Sequence, residues 1–165
     1  MTARLVRTAA LLTIMVAVPL AGCGDGGAGG EERRASAAEA ARRFQQAQLD
    51  KEWRVACEAM TQRLRRGTVA ACVEERDSTP RIGSYPEARV TTGKPFDMEA
   101  DGPHPAGVGM RVTLLLDPAT GNRIDTALRL VPAEDGAWLV DQAANLDASL
   151  GTGPDAARAR LDEAR

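Results

Sequence analysis

The sequence predicts an α+β domain in which N-terminal helices pack on a curved antiparallel sheet. Apolar residues recur at helical spacing in the first half of the chain, namely Trp53, Ala56, Cys57, Met60 and Leu64. Such a stripe indicates an amphipathic helix with one buried face. After Pro86 the period changes to two, and alternate residues are apolar over 108–116 and again over 124–130. This alternation is typical of strands with one buried face, and helices followed by strands are typical of an α+β fold.

Residues 1–22 have the features of an export signal. Arg4 and Arg7 provide a basic start, and the residues from 8 to 22 carry no charge. The apolar run over 9–20 is shorter than the about 20 residues that a membrane-spanning helix needs. A basic start, a short apolar run and small residues at a cleavage site instead predict a signal peptide.

The end of this segment, Leu20, Ala21, Gly22 and Cys23 in order, resembles the lipobox of bacterial lipoproteins. The resemblance implies that the thiol of Cys23 receives a diacylglyceryl group and that cleavage makes Cys23 the first residue. Burial of acyl chain contributes about 0.8 kcal/mol per CH₂, and two chains give a stable anchor where one does not. We therefore expect a lipid-anchored protein on the outer face of the cell membrane. An ordinary cleaved signal followed by an unmodified cysteine is the alternative.

The charge balance argues against one class of partner. The chain has 21 basic and 23 acidic residues, whereas binding of nucleic acid requires a clustered basic face. The residues that follow the signal are numerous enough for one domain with a hydrophobic core.

The cysteines support export. If Cys23 carries lipid, Cys57 and Cys72 remain as an even pair, 15 positions apart, in an oxidising compartment. A disulfide between them is the prediction. Two buried free thiols are the alternative, and a metal site is disfavoured because no second pair of ligands accompanies them.

Three helices are predicted after a flexible segment. The glycine-rich residues after Cys23 and the charged residues up to position 34 predict a tether over 23–34. Ser36 with Glu39 has capping-box spacing, which predicts a first helix over 37–49. Asp50 is the expected N-cap of a second helix that carries the apolar stripe and ends at Gly67. Thr68 can cap a third, short helix, which carries Cys72.

The strands follow from the alternation. A first strand is expected around Val90 and Thr92, an uncertain segment over 95–99, and a loop over 101–107. Because a shift of one residue would turn every side chain over, the faces also predict the pairing of neighbouring strands. The expected partners in the first hairpin are Leu116 with Asn122, Leu114 with Ile124, Thr113 with Asp125, Val112 with Thr126 and Met110 with Leu128. The expected partners in the second are Val131 with Ala137, Leu130 with Trp138 and Leu128 with Val140. Asp125 and Asp141 then face away from the core.

The last residues, 149–165, contain Leu161 as their only large apolar side chain apart from Leu150. We expect a mobile C-terminal tail there. The predicted domain accordingly covers 35–148.

Residues 35–146 resemble the nuclear transport factor two-like superfold, a cone shared with ketosteroid isomerases and polyketide cyclases. The closer likeness is to short actinobacterial lipoproteins, and it is carried by Phe44, Trp53, Cys57 and Cys72, with a Trp-Leu-Val strand that begins at Trp138. The resemblance implies a cone whose interior commonly holds a pocket, here lined by Phe44, Trp53, Met60, Met110 and Leu128. The alternative is that these residues fill the core completely. A fold of this kind does not by itself supply an activity.

Catalysis in the enzymatic relatives uses an acid or base inside the cone, and a working base must reach the substrate proton. The predicted inward positions hold no carboxylate, tyrosine or histidine. His104, the only histidine, lies between two prolines and is expected to be an exposed loop residue, and Tyr85 is expected to pack. We therefore expect no enzymatic activity, no cofactor and no metal.

Two functional hypotheses follow. The first is a non-catalytic envelope lipoprotein whose domain binds an envelope protein or a small apolar ligand. The second is a cyclase-like or isomerase-like enzyme that uses Asp97, Asp101 or His104 from a loop over the mouth of the cone. Charged residues on the outer sheet face, among them Arg111, Arg123 and Arg129, favour a monomer.

Overall fold

The computed structural model describes residues 28–78, 85–147 and 151–164. The helices within these ranges are α1 (Ala28–Leu49), α2 (Trp53–Glu58), α3 (Gln62–Arg65), α4 (Val69–Ser78) and α5 (Pro154–Glu163). The strands are β1 (Arg89–Thr92), β2 (Phe96–Met98), β3 (Gly107–Asp117), β4 (Asn122–Pro132) and β5 (Trp138–Asn145). The predicted α+β class is confirmed. The predicted signal peptide, the first residues of the predicted tether and Cys23 lie outside the described residues.

The sheet is antiparallel throughout and follows the order β1-β3-β4-β5. Strand β3 is long enough to pair with two short strands along one side. β1 lies beside its residues 112–115, and β2 lies beside its residues 107–109. The uncertain segment over 95–99 therefore contains the short strand β2. The result is an open five-stranded sheet dominated by the β3-β4 hairpin.

The main core lies between the helices and one face of this sheet, which we call the inner face. Helix α1 packs across β1, β3, β4 and β5, and α2 packs on α1 and α4. Apolar side chains from these elements are buried together, including Ala37, Ala41, Phe44, Cys57, Met60, Cys72, Val108, Met110, Val112, Leu128, Leu130 and Val140. Burial of apolar area at roughly 25 cal/mol per Å² is the main stabilising term for such a core.

The predicted pairing of the β3-β4 hairpin is confirmed over most of its length. Leu114 lies opposite Ile124, Val112 opposite Thr126, Met110 opposite Leu128 and Thr113 opposite Asp125. The expected pair of Leu116 with Asn122 is wrong, because a bulge places Asp117 opposite Asn122. The Asp117 carboxylate accepts hydrogen bonds from the backbone N–H of Ala119 and from the Thr120 hydroxyl, so it closes the turn.

The β4-β5 pairing differs from the prediction by two residues near the turn and by three beyond a bulge, where Leu128 lies opposite Ala143 rather than Val140. Leu130 lies opposite Val140 rather than Trp138, and Pro132 lies opposite Trp138. A tighter turn causes the shift: Ala133 N–H donates to the Ala137 carbonyl, and Gly136 adopts a left-handed φ of 82°. A bulge between Arg129 and Leu130 then leaves Asp141 as the extra residue of β5. Asp141 is therefore not on a regular outward position.

Helix α1 begins at Ala28, so it includes the end of the predicted tether, and Ser36 lies inside the helix rather than at its N-cap. Contacts with the sheet explain the longer helix. Arg33 and Arg34 both form ion pairs with Asp97 of β2, and the Arg33 guanidinium lies 5.4 Å from the centre of the Trp138 ring. These contacts hold the first turns of α1 against the domain.

The predicted second helix is divided into α2 and α3. Between them, Met60 forms a parallel bridge with Val140, because Thr61 N–H donates to the Val140 carbonyl and Val140 N–H donates to the Ala59 carbonyl. Backbone groups used in this way cannot continue a helix. The Thr61 side chain then caps α3 through Leu64 N–H, and Arg66 rather than Gly67 has the left-handed φ, 57°, at its end.

The predicted caps of the neighbouring helices have different outcomes. Asp50 does not cap α2, because the N-cap position of that helix is Glu52. The Asp50 carboxylate instead accepts a hydrogen bond from Gln46 Nε2. The Thr68 hydroxyl accepts a hydrogen bond from Ala71 N–H at the start of α4, as predicted.

The C-terminal segment contains a packed helix, α5, where the sequence predicts a mobile tail. Ala157 and Leu161 are buried against Met98, Ala127 and Leu146 on the outer face of the sheet. The Gln142 amide also donates to the carbonyls of Leu161 and Ala164. The helices therefore cover both faces of the sheet and not one.

Candidate functional site

The inner face opens into a cleft of about 800 Å³ at the end of the β3-β4 hairpin. Volumes of this size are typical of small-molecule sites. The cleft is bounded by the C-terminal end of α1, by α2 and α3, and by the inner face of the sheet. We call this cavity the cleft throughout. It is lined by Phe44, Gln45, Gln46, Gln48, Leu49, Asp50, Lys51, Trp53, Met60, Leu64, Arg76, Tyr85, Pro86, Ala88, Leu114, Leu116, Ile124, Thr126, Ala143 and Asn145.

The floor of the cleft is apolar. Strands β3 and β4 contribute alternate inner-face residues, Leu114, Leu116 and Ile124. The helices and the segment between α2 and α3 contribute Phe44, Leu49, Trp53, Met60 and Leu64. Ile124 is 46% exposed, which is unusual for a large aliphatic residue beside a core. The floor therefore offers apolar area that the domain itself does not cover.

The rim of the cleft is polar and rich in amides. Gln48 Nε2 donates to Gln45 Oε1 at 2.8 Å, and Arg76 Nη1 donates to Gln48 Oε1 at 3.3 Å. This chain of hydrogen bonds joins α1 to α4 along one side. On the same rim, Gln46 Nε2 donates to Asp50 Oδ2 at 2.9 Å. The arrangement of apolar floor and amide rim suits a ligand with an apolar body and a polar end.

Three of the five predicted pocket residues line the cleft, namely Phe44, Trp53 and Met60. Met110 and Leu128 do not, because both are completely buried in the core behind it. They form one pair, which lies two pairs further from the β3-β4 turn than the pair of Val112 with Thr126. The core is filled at their depth and opens only toward the turn between β3 and β4.

The predicted disulfide is present. Cys57 and Cys72 are bonded, and both side chains are buried. The bond joins α2 to α4, which both border the cleft through Trp53 and Arg76. The disulfide therefore holds two walls of the cleft at a fixed separation.

His104 is buried, so the expectation of an exposed loop histidine is wrong. Its Nδ1 lies 2.8 Å from Oδ2 of Asp141, and both side chains are almost inaccessible. The same Nδ1 also lies 2.7 Å from Nη2 of Arg63, so this nitrogen contacts both the carboxylate and the guanidinium. Asp141 also accepts from Arg63 Nη2 at 2.6 Å and from the Thr61 hydroxyl at 3.1 Å. The bulge in β5 is what turns the Asp141 carboxylate toward these partners.

Arg129 explains how the loop over 101–107 is drawn onto the sheet. It is 2% exposed, and its guanidinium donates to the carbonyls of Glu99, His104 and Pro105. Burial lowers the pKa of Arg129 from its ordinary value, although nearby carboxylates, first Asp141, oppose that shift. The loop is thus held by two residues of the sheet, Arg129 and Asp141.

The pKa of Asp141 reflects the same cluster. Burial would raise it, but hydrogen bonds from His104 and Arg63 outweigh burial and hold the pKa below its ordinary value. The outer-face carboxylate of Asp125 behaves similarly: burial opposes ionisation, whereas Arg111 and Thr113 lower its pKa. Both carboxylates are therefore held by hydrogen bonds to neighbouring side chains.

The loop residues considered for catalysis are not brought together. Asp97 is paired with Arg33 and Arg34, and His104 is occupied by Asp141. Asp97 and Asp101 line a second, mixed-charge cavity of about 700 Å³ near the start of α1. None of the three lines the cleft. The titratable residues of the cleft are Asp50, Lys51, Arg76 and Tyr85, and its apolar floor has no carboxylate or histidine among the described residues.

The described ranges contain neither a metal-binding cluster nor a membrane-spanning helix. No group of three or more His, Cys, Asp or Glu side chains there is placed to hold a metal ion. None of the helices in the same ranges is both long and apolar enough for a membrane span.

Comparison with known proteins gives no relative: no family model, no curated protein and no solved structure matches the chain. The class defined by fold and site is therefore an α+β domain with a helix-bordered apolar cleft.

The rim residues Gln45, Gln48 and Arg76 were missed by sequence reasoning. The spacing of Gln45 and Gln48 on one helix, three apart, allows their side chains to meet. The approach of Arg76 from another helix has no local signal, because the disulfide and the packing of α4 determine it.

Proposed function

We propose that the protein is a membrane-anchored extracytoplasmic lipoprotein with a non-catalytic domain that binds a small apolar ligand in the cleft. The observation that carries the binding part is the cleft itself, with an apolar floor and without an acid or base on that floor. The anchoring part depends on the resemblance of residues 20–23 to a lipobox and places the protein on the outer face of the cell membrane.

The disulfide supports the proposed location outside the cytoplasm. Such bonds persist in oxidising environments outside the cytoplasm and are rare inside it. The bond between Cys57 and Cys72 leaves Cys23 as the one remaining cysteine of the three in the chain. Lipidation of Cys23 would leave no free thiol.

A binding role is favoured over the cyclase-like or isomerase-like alternative by the position of the titratable groups. A general base must lie within hydrogen-bonding reach of the proton that it removes. Asp97 is paired with Arg33 and Arg34, and His104 contacts Asp141, both away from the cleft. Helices preceding an antiparallel sheet with a pocket at its open end agree with our proposal of a nuclear transport factor two-like domain.

A monomer is part of the proposal. The outer face, which could pair with a second copy, is covered in part by α5 through Ala157 and Leu161. Two of the arginines there, Arg111 and Arg123, already pair with Asp125 of the same chain.

Replacing Cys23 with alanine should release the protein from the membrane. We expect the wild-type protein to incorporate an alkyne-tagged fatty acid in cells and to sediment with membranes, and the Cys23→Ala variant to do neither. The reason is that anchoring depends on the two acyl chains implied at this thiol. Mass spectrometry of the mature N-terminus checks the result. Wild-type protein without lipid, or a start other than residue 23, would contradict the anchoring proposal.

Replacing Ile124 with glutamate should weaken ligand binding in the cleft at least about tenfold, which corresponds to about 1.4 kcal/mol. The new carboxylate would have to lose water when an apolar molecule covers it. Binding is measured in the full chain carrying Cys23→Ala, through the fluorescence of the neutral apolar dye N-phenyl-1-naphthylamine.

Val55→Glu provides the matched control, because Val55 is 48% exposed, close to the 46% of Ile124, but is not part of the cleft. It should leave dye binding unchanged. A dye that does not bind the unsubstituted chain, or that is lost equally in both variants, would refute the ligand-binding proposal.

A further inference from the structure

The rim of the cleft holds a guanidinium that no carboxylate of the described residues neutralises. Arg76 is half-buried on α4, and its only hydrogen bond in the described chain is the one that Nη1 donates to Gln48 at 3.3 Å. Most arginines on the same scaffold are instead paired with a carboxylate, as Arg54 is with Glu58 and Arg111 with Asp125. The other N–H groups of Arg76 therefore have no acceptor within residues 28–78, 85–147 and 151–164.

The charge of the cleft is positive as a consequence. Lys51, which is exposed on the same rim, also has no carboxylate within ion-pair distance in those ranges. The only carboxylate of the cleft, Asp50, is on the rim and accepts a hydrogen bond from Gln46. Two cations against one carboxylate favour a ligand that brings a negative charge to the rim.

The amides hold Arg76 in position. Gln48 accepts from Arg76 and donates to Gln45, and Gln45 is 8% exposed. Gln48 is thus oriented at both ends, and its carbonyl oxygen faces the guanidinium. An arginine that is positioned in advance loses less side-chain entropy on binding.

We propose that the ligand of the cleft is a single-chain amphiphile with a carboxylate head. The alkyl chain lies on the floor formed by Leu114, Leu116 and Ile124, and the carboxylate binds the free N–H groups of Arg76. A guanidinium presents paired donors that match the two oxygens of a carboxylate. This inference rests on the proposed ligand-binding function and adds the chemical class of the ligand.

The test compares two ligands that differ only in the head group. Tetradecanoate and tetradecanol, both below the concentrations at which they aggregate, are titrated into the full chain carrying Cys23→Ala and Trp138→Phe. Trp53, which lines the cleft, then reports binding by its fluorescence. Tetradecanoate should bind about tenfold or more tightly than tetradecanol, because hydrogen bonds to charged groups are stronger than those between neutral groups.

Arg76→Gln should remove most of that preference, because it should weaken the binding of tetradecanoate far more than the binding of the uncharged tetradecanol. Arg54→Gln is the control, because Arg54 is exposed on α2 and is not part of the cleft. Equal affinity of the unsubstituted chain for both ligands, or a preference that survives Arg76→Gln, would overturn the inference while the binding of the neutral dye still upholds the proposed function. If the preference is lost in Lys51→Gln instead, the assignment of the carboxylate to Arg76 is wrong. Failure of both ligands and of the dye to bind would refute both proposals.

Discussion

Replacing Asp141 with asparagine should lower the free energy of unfolding at neutral pH by about 2–3 kcal/mol. Asp141 is buried and accepts from three side chains, His104, Arg63 and Thr61. An asparagine has one acceptor oxygen in place of two and carries no charge, so it cannot satisfy all three donors. We expect less than the full cost of breaking a buried ion pair, because the Arg63 side chain is 39% exposed and can regain water.

The same substitution should reduce the loss of stability in acid. Hydrogen bonds from His104 and Arg63 hold the pKa of Asp141 below its ordinary value, although burial opposes them. A carboxylate with a lowered pKa contributes its stabilisation above the pKa of the unfolded chain, about 3.9 for aspartate. That contribution is lost as the pH falls through the lower pKa of the folded state. Below about pH 4 the wild-type protein therefore loses an advantage that the variant never had.

Urea denaturation followed by circular dichroism at pH 7 and at pH 3 measures both effects. Asp77→Asn is the control, because Asp77 is an exposed aspartate on α4. The difference between wild type and Asp141→Asn should be smaller at pH 3 than at pH 7, whereas Asp77→Asn should follow the wild type. A difference that is the same at both pH values would show that the charge of Asp141 does not matter to stability.

The hairpin of β3 and β4 is the element that the sequence predicts best. Apolar residues alternate along both strands, and one face is buried under α1, so only one register buries the whole set. The pairs of Leu114 with Ile124 and of Met110 with Leu128 were obtained in this way. The bulge before the turn was not predictable from alternation, because it depends on the Asp117 carboxylate accepting from the turn.

The strand β5 shows where the same reasoning fails. Alternation predicts the face of Val140 correctly, but a shift of two residues keeps that face and changes every partner. The bulge at Asp141 then gives the carboxylate an inward position that no periodic pattern contains. The burial of His104 follows from it, and from Arg129, which donates to the carbonyls of Glu99, His104 and Pro105. These contacts join residues that are distant in sequence, so the residues around His104 give no local indication that it is buried.

The cleft was predictable in kind and only partly in detail. Phe44 and Trp53, which the resemblance to the cone superfold implied as pocket-lining residues, both line the cleft. The depth of the opening was not predicted, because Met110 and Leu128 are completely buried in the core behind the cleft. How far a sheet separates from its helices depends on side-chain volumes along several strands at once.

Removal of the disulfide should have the largest effect on stability of any change considered for this domain. The double variant Cys57→Ala, Cys72→Ala should lose about 3 kcal/mol of the free energy of unfolding, as the chain-entropy model gives for a loop of about 15 residues. The two cysteines are separated by 15 positions. Alanine is chosen over serine because both positions are buried, and a hydroxyl there would lack a partner.

Treatment with a reductant distinguishes the effect of the disulfide bond on stability from the effect of packing the two sulfur atoms. Urea denaturation of the wild type with dithiothreitol should approach the curve of the double variant, and dithiothreitol should leave the double variant itself unchanged. Because α2 and α4 carry Trp53 and Arg76 of the cleft, binding of tetradecanoate should weaken in parallel with the loss of the bond. A wild-type denaturation curve that does not respond to the reductant, once alkylation confirms that both thiols are free, would show that the bond contributes nothing to stability. Weakened binding without a change in stability would instead place its role in holding the two helices at the cleft.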